Sequence, residues 1–245
     1  MTTDPRNHPA PTATHPPSWH RRLFEGRATF FAVATTLVIS IGGLVEIVPM
    51  YSLSAGPEQL EGVTPYTPLE LAGRDIYVSE GCYNCHSQMV RPFRDETLRY
   101  GAWSRAGEYA YDRPFQLGSR RIGPDLQRVG GKYPDAWHWE HLQDPRSTSP
   151  GSIMPPYPWL YKGTVDPADV QTSMRTLKTL GTPYSDQDIA DAQTTMKVQQ
   201  DKIVASLAGA GATAAPDTQV VALIAYLQRL GVDGRRAIKA REEAK

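Results

Sequence analysis

The feature that most restricts how this chain can fold is a long apolar run. Residues 28–48 read ATFFAVATTLVISIGGLVEIV, and the first charge in the run is Glu46. A helix of this length spans roughly 32 Å at about 1.5 Å per residue, which matches the hydrocarbon core of a bilayer. A buried core helix is usually amphipathic, whereas this run is apolar on every side. The sequence therefore predicts one transmembrane helix at residues 28–48.

The charges that flank the run predict its orientation. The basic residues before it are Arg21, Arg22 and Arg27, and the acidic residues at or beyond its far end are Glu46, Glu58 and Glu61. Because cytoplasmic flanks are enriched in Lys and Arg, we expect the N-terminal residues in the cytoplasm and the larger C-terminal part outside. A cleaved signal peptide is the alternative, with SLSAG at 52–56 as a peptidase site, but the apolar run is longer than such a peptide needs.

The remaining residues divide into two tails, a linker and one domain. Residues 1–27 form the predicted cytoplasmic tail, and its first twenty residues are rich in Pro, Thr and His, which is typical of disorder. Residues 49–67 carry several prolines and suit a linker. Residues 68–233 are expected to form the domain, and residues 234–245 a charged C-terminal tail.

Capping residues and apolar spacing predict that the domain is helical. The predicted helices begin at Pro68 after Thr67, run from 134 to 143, from Pro167 to about Leu180, from Ser185 to about Leu207, and from Asp217 until Gly231. Residues 87–133, rich in Gly, Arg and aromatic residues, are expected to be mainly ordered loop. We therefore predict an all-α fold, with one N-terminal transmembrane helix followed by a helical domain with long loop insertions.

The only two cysteines of the chain, Cys82 and Cys85, are followed directly by His86 in CYNCH. C-x-x-C-H is the attachment signature of a c-type haem, in which the thiols reach two vinyl groups and the histidine reaches the iron. A redox dithiol would be expected between a strand and a helix, which this region does not predict. Zinc could use His138 and His141, but these lie far along the chain from the cysteines. The sequence favours one covalently bound haem c, with His86 as an iron ligand.

A low-spin haem iron also needs a ligand on its opposite face, and a thioether there raises the reduction potential. Met154 stands in SIMPPYPWL, where Pro155 and Pro156 restrict the backbone and fix the loop. The other methionines of the domain are Met89, which is too close to His86 in the chain, and Met174 and Met196, which fall in predicted helices and are expected to pack. Met154 is therefore favoured as the second ligand, with His138 or His141 as the alternative.

CYNCH, GPDL at 123–126 and SIMP together resemble the class I cytochromes c. In that family the proline after the glycine offers its carbonyl to the proximal histidine, a role that would fall to Pro124 here. The family also crosses its first and last helices at a close contact of glycine and aromatic residues. The matching positions are Gly73 and Tyr77 on the first helix and Leu223 and Tyr226 on the last.

Longer stretches are similar to the mono-haem, FixO/CcoO-type subunit of cbb(3)-type cytochrome c oxidases. They are GCYNCHSQMVRPFRDETLRYG, WSRAGEYAYDRPFQLGSRRIGPDL and WHWEHLQDPRSTSPGSIMPPYPWL, and the likeness covers roughly residues 28–231. The resemblance implies an electron-transfer subunit without a catalytic centre of its own, anchored in a bacterial inner membrane with its haem domain in the periplasm. The implied partners are a haem–copper catalytic subunit and a di-haem cytochrome c subunit, with a soluble cytochrome c as another candidate donor. A free-standing membrane-anchored electron shuttle is the alternative.

Residues 87–122 lie between CYNCH and GPDL and are much longer than a short cytochrome needs. They contain seven arginines and several aromatic residues. A solvated basic loop is the simpler interpretation, but because Arg and Tyr are enriched at protein interfaces we favour docking to the catalytic subunit. Over the whole chain Lys+Arg and Asp+Glu both number 26, so no net charge points to nucleic acid. Glu46 is expected to be an interfacial charge at the outer edge of the membrane, with a role beside the haem of the partner subunit as the alternative.

Overall fold

The computed structural model describes residues 18–52 and 60–243 of the chain. Most of the tail predicted to be disordered, the middle of the predicted linker with Glu58, and most of SLSAG lie outside the described residues. The chain divides into two compact units, Met1–Gly56 and Pro57–Lys245. The described residues are helical apart from loops, and one isolated β-bridge joins Thr164 to Thr218. The predicted all-α fold is confirmed.

The N-terminal unit contains the helix α1, Ala28–Ser52. Its stretch Ala28–Pro49 is long and apolar enough to cross a membrane, and none of that stretch is buried against other parts of the chain. A short π-helical turn, Arg21–Glu25, precedes α1, and the rings of Phe24 and Phe30 contact each other with centroids 5.6 Å apart. The helix therefore begins where the apolar run begins and continues four residues beyond the predicted end of the span.

In the second unit, the core forms where α2, Pro68–Ser79, crosses α9, Gln219–Arg229. The predicted start of α2 is correct, since Thr67 Oγ1 accepts a hydrogen bond from Glu70 N while Glu70 Oε2 accepts one from Thr67 N. The crossing occurs at Gly73, where a Cβ atom would overlap the backbone of α9. One turn further along α2, the ring of Tyr77 packs 5.4 Å from that of Tyr226. The crossing thus involves the aromatic residues expected from the sequence.

The other helices surround this crossing. They are α3, Arg94–Tyr100; α4, Asp135–Gln143; α5, Pro145–Thr148; α6, Pro167–Thr179; α7, Asp186–Ala190; α8, Ala192–Gly209; and α10, Val232–Glu243. Three short 3₁₀ turns add to them, Cys82–Asn84, Ala106–Tyr109 and Pro158–Tyr161. Helices α6 and α8 pack against α2, and their Met174 and Met196 are fully buried in the core. Both methionines pack, as the sequence suggested.

Two helix boundaries differ from the prediction. The single helix expected from Ser185 to Leu207 is interrupted at Asp191, whose side chain accepts a hydrogen bond from Gln187 Nε2 at 2.6 Å. Such local side-chain bonding competes with a continuous helix. Helix α9 starts after Thr218 rather than Asp217, because the Asp217 carbonyl accepts a long-range bond from Val165 N at 2.9 Å.

Two regions contain more helix than expected. Residues 87–133 contain α3 and a 3₁₀ turn as well as loop. Of the residues predicted as a C-terminal tail, 234–243 belong to α10, which begins at Val232. Its first turn is bonded to the domain, since Asp233 Oδ2 accepts from Thr64 N at 2.9 Å and Arg235 Nη2 donates to the Gly130 carbonyl at 2.5 Å. These long-range contacts stabilise a polar helix that apolar spacing could not predict.

Candidate haem-binding site

The two cysteines lie in a tight turn directly after α2. Gly81 has a left-handed backbone, with φ at +68°, and this allows the chain to leave the helix and enter the 3₁₀ turn Cys82–Asn84. The His86 amide then donates to the Cys82 carbonyl at 3.0 Å. Both thiols are free, with Cys82 half-buried and Cys85 exposed. The turn therefore presents two free thiols, four residues and one residue before an imidazole.

The environment of Cys82 is unlike that of a redox or zinc-bound cysteine. Burial, together with the charge of Glu80, raises the pKa of the Cys82 thiol to about 12. Redox-active and metal-binding cysteines instead lie where positive charge stabilises the thiolate. In the described part of the chain, no group of three or more His, Cys, Asp or Glu side chains could hold a metal ion. The raised pKa of the Cys82 thiol therefore disfavours a redox dithiol.

The imidazole of His86 is held by a single backbone acceptor. Its Nδ1 lies 2.8 Å from the carbonyl oxygen of Pro124. Because a carbonyl has no proton to give, Nδ1–H must be the donor, and this leaves Nε2 unprotonated in the neutral ring. Burial lowers the pKa of His86, although the Pro124 carbonyl and Asp125 oppose this shift. The ring is therefore neutral and oriented, as an iron ligand must be.

Gly123 allows the GPDL segment to approach that ring. A Cβ atom at this position would lie 2.7 Å from His86 Nδ1 and 2.9 Å from Nε2. These distances are too short for a non-bonded contact, so a side chain at position 123 would displace the ring or the loop. The Gly123 amide also donates to the Cys85 carbonyl at 2.9 Å. CYNCH and GPDL are thus joined by a backbone bond as well as by the bond between His86 and Pro124.

Asp125 is a buried residue of the site that sequence reasoning missed. Its carboxylate accepts hydrogen bonds from Ser87 Oγ and Met89 N, both at 2.7 Å, and from Gln127 N at 2.9 Å. Arg121 Nη2 lies 3.6 Å from the same carboxylate. The signal available in the sequence was an acidic residue inside GPDL, next to Pro124. Asp125 fixes the residue after His86 to the residue after Pro124, and so holds both segments of the site together.

The loop that carries Met154 lies beside CYNCH. Met154 is partly buried against the core, and the same cluster includes Cys82 and Tyr157. The pKa of Tyr157 is raised by burial and then by the charges of Cys82 and Cys85, which places its ring near both thiols. Trp159 Nε1 donates to Glu80 Oε2 at 3.1 Å, tying the loop to the end of α2. The loop is therefore fixed close to the attachment turn.

The two histidines of α4 differ in their surroundings. His138 is buried, its Nε2 has no hydrogen-bond partner within the described residues, and burial lowers its pKa to about 4. His141 is half-buried and stacks on Trp137 with ring centroids 4.5 Å apart, while Thr148 Oγ1 lies 2.6 Å from its Nδ1. Burial, followed by the nearby His86, lowers the pKa of His141.

Together these residues fit a c-type haem: two free thiols, a neutral imidazole with a free Nε2, a glycine that admits the ring, and a fixed methionine loop. In a comparison with known protein families, the model described as cytochrome c oxidase, mono-heme subunit/FixO matches residues 20–233, most of the chain. No curated protein matches the chain.

Proposed function

The chain belongs to the FixO family of mono-haem cytochrome c oxidase subunits, and on this premise we propose that it transfers electrons within a membrane-bound cbb(3)-type oxidase. The observation that carries the proposal is the bond from His86 Nδ1 to the Pro124 carbonyl at 2.8 Å, beside two free thiols. We assign Cys82 and Cys85 to covalent attachment of one haem c, and His86 and Met154 to its iron. When bound, haem c supplies a one-electron redox centre.

Each residue of the site has a role that suits electron transfer. The Pro124 carbonyl fixes the tautomer and plane of His86, so that Nε2 would be available to hold the iron. Pro155 and Pro156 restrict the loop of Met154 and keep its thioether in one place. With His86 and Met154 both holding the iron, a bound haem would have no position for a substrate and would supply one-electron transfer with little rearrangement. The chain therefore needs no catalytic centre of its own.

The apolar helix α1 suits a single-pass anchor in the bacterial inner membrane. Arg21, Arg22 and Arg27 precede it, which supports a cytoplasmic N-terminus and a periplasmic haem domain. An anchored haem domain stays near its acceptor, which raises its effective concentration. In this proposal electrons come from the di-haem subunit or a soluble cytochrome c and pass to the haem–copper catalytic subunit, which reduces oxygen.

Haem attachment is tested most simply by staining a denaturing gel for covalently bound haem. The wild-type chain is expected to stain at its own mass, because thioether bonds survive denaturation. The double variant Cys82→Ser/Cys85→Ser is expected to lose the stain, because it has no thiol that could form these bonds. A wild-type band that does not stain would overturn the haem assignment.

The second ligand is tested by comparing methionine variants. Met154→Leu should change the absorption spectrum of the reduced protein and lower its reduction potential, because the thioether stabilises ferrous iron. Met89→Leu and Met174→Leu are matched controls and should alter neither. A spectrum that responds to His141→Leu and not to Met154→Leu would instead assign the second ligand to His141.

Co-purification with a haem–copper subunit distinguishes an oxidase subunit from a free-standing shuttle. After extraction of membranes with a mild detergent, affinity purification of the tagged full-length chain is expected to recover a haem–copper subunit in comparable amount. A chain recovered alone, with its haem intact, would favour the shuttle.

A further inference from the structure

Large apolar side chains are exposed most densely in residues 87–122. Ten such side chains are exposed among the described residues of the unit Pro57–Lys245, and five of them belong to this stretch of thirty-six residues. They are Phe93, Leu98, Trp103, Phe115 and Ile122. Solvent-facing loops do not favour such residues, whereas protein interfaces do. Their density marks this stretch as a surface that another molecule covers.

The clearest part of this surface is built on α3. Phe93 precedes the helix, and Arg94 and Leu98 lie one turn apart on the side opposite the buried Glu96. Leu98 is 77% exposed, the highest value for a large apolar residue in this unit. We call Phe93, Arg94, Leu98 and Arg99 the α3 face. It combines two exposed apolar side chains with two exposed guanidinium groups.

The surface around the α3 face has an excess of positive charge, because most of the nearby acidic side chains are buried in ion pairs with arginines. Glu96 pairs with Arg91 and Arg121, Glu108 with Arg128, and Asp112 with Arg74. Within the described residues, no acidic side chain forms an ion pair with Arg94, Arg99, Arg113 or Arg120. Asp95 is the remaining acid of this stretch. The surface is therefore positively charged and is complementary to carboxylates.

The α3 face is also rigidly connected to the proposed haem site. Glu96 accepts from the Arg91 amide at 2.8 Å and from Arg121 Nη2 at 2.8 Å. Arg121 in turn donates to Ser87 Oγ and to the Met89 carbonyl, both at 2.8 Å. Ser87 follows His86 directly in the chain. A partner bound to α3 is thus held in a fixed position relative to the iron ligand, and the surface needs little ordering on binding.

We propose that the α3 face binds the protein subunit that accepts the electron, and that this subunit meets it with carboxylates around an apolar contact. This inference rests on the proposed function, since it requires a stable oxidase complex. A protein partner is favoured over a membrane surface because the bonds of Glu96 to Arg91 and Arg121 hold α3 in one position. Specific docking to a protein requires such a fixed surface, whereas binding to lipid headgroups does not.

Photo-crosslinking in native membranes tests the proposal directly. A photo-reactive phenylalanine analogue is placed at Leu98 of the full-length chain, and at Val198 of α8, which is 66% exposed, as the matched control. On illumination, position 98 is expected to form an adduct with the haem–copper subunit, and position 198 is not. An adduct with phospholipid alone, or none at all, would overturn the proposal.

Charge reversal provides a second test. Arg94→Glu should reduce the recovered haem–copper subunit by about ten-fold or more, because like charges would then face each other. Arg175→Glu, at an exposed position on α6, is the control and should not. Haem staining and the reduction potential of the separated chain should match wild type in both variants. If wild type recovers no haem–copper subunit, the proposed function fails; if Arg94→Glu recovers as much as wild type, only the α3 face is wrong.

Discussion

The imidazole of His86 is positioned by two neighbouring residues and by burial, independently of any iron. The Pro124 carbonyl accepts a hydrogen bond from Nδ1–H, Gly123 leaves room for the ring, and burial keeps the ring neutral by lowering its pKa. Iron binding requires a neutral ring with an accessible Nε2, so the fold holds His86 in the state that its proposed role as a ligand needs. Changes at these neighbours should therefore affect the haem spectrum as well as stability.

The substitution Gly123→Ala tests the close approach to the ring. A Cβ atom would overlap the His86 imidazole, so either the ring rotates away from Pro124 or the loop moves. We expect a changed absorption spectrum, less haem attached, and a loss of roughly 1–3 kcal/mol in the free energy of unfolding. Gly209→Ala is the matched control, because no atom lies within 4 Å of its added Cβ. A Gly123→Ala spectrum identical to wild type would show that the ring has more room.

Asp125→Asn tests the buried carboxylate behind the ligand. The substitution removes a negative charge that acts on His86, and a negative charge would favour ferric haem iron, so the reduction potential should rise. The free energy of unfolding should fall by about 1–3 kcal/mol, because an amide cannot accept all the bonds from Ser87, Met89 and Gln127. Redox titration and chemical unfolding measure the two effects. The exposed Asp201→Asn should change neither, and a lower potential in Asp125→Asn would contradict the argument.

Among the elements, those with local signals could be predicted and those held by distant contacts could not. Thr67 and Pro68 identify the start of α2, and an uncharged run identifies α1, because capping and apolar length are properties of neighbouring residues. Helix α3 has no apolar stripe and depends on the burial of Glu96 by Arg91 and Arg121. In the same way, the spacing of CYNCH predicts a haem-attachment site from neighbouring residues. The hydrogen bonds of Asp125 to Ser87 and Met89 join distant parts of the chain and could not be predicted.

Glu96→Gln tests how much the ion pairs of Glu96 with Arg91 and Arg121 stabilise α3. Hydrogen bonds from Arg121 and Arg91 lower the pKa of Glu96 from 4.5 to about 2. A lowered pKa means that the carboxylate stabilises the fold fully above pH 4.5 and loses this effect as the pH falls toward 2. At neutral pH we expect the variant to be less stable by roughly 2–4 kcal/mol. Urea unfolding at a series of pH values measures the difference.

The difference between wild type and Glu96→Gln should shrink between about pH 5 and pH 2, since the wild-type carboxylate becomes protonated over this interval. The exposed residue Glu140 provides a control, and Glu140→Gln should differ little from wild type at any pH. A difference for Glu96→Gln that stays constant down to pH 2 would mean that its ionised pairs do not stabilise α3.

At the scale of the whole molecule, the net charge does not show where the basic and acidic side chains lie, and this distribution matters for the proposed function. Basic and acidic residues are equal in number, 26 of each. The structure places several acids in internal pairs, such as Asp112 with Arg74, each only 4% exposed. Arginines such as Arg94 and Arg113 are left exposed at the surface. A neutral composition is therefore compatible with a locally basic docking surface, which only the positions of the side chains reveal.

The division into two units predicts that the haem domain and the anchor have separable roles. All proposed haem ligands and the whole helical core lie within Pro57–Lys245. A variant that begins at Pro57, exported by a cleavable signal peptide, should fold, stain for haem and keep the wild-type reduction potential. Its electron transfer to the oxidase should be slower on the order of ten-fold or more at equal protein amounts, because the anchor no longer supplies a high effective concentration.

An unrelated single-pass helix in place of α1 distinguishes tethering from specific contact. If the anchor acts only as a tether, this chimera should restore the rate of electron transfer, and a large excess of the unanchored domain should do the same, because both raise the local concentration of the domain. Stopped-flow reduction of the oxidase in membranes measures the rate. Failure of the chimera, with haem stain and potential intact, would contradict the tether and assign α1 a specific contact of its own. Glu46, the only charged residue within the span, would then be the first position to substitute.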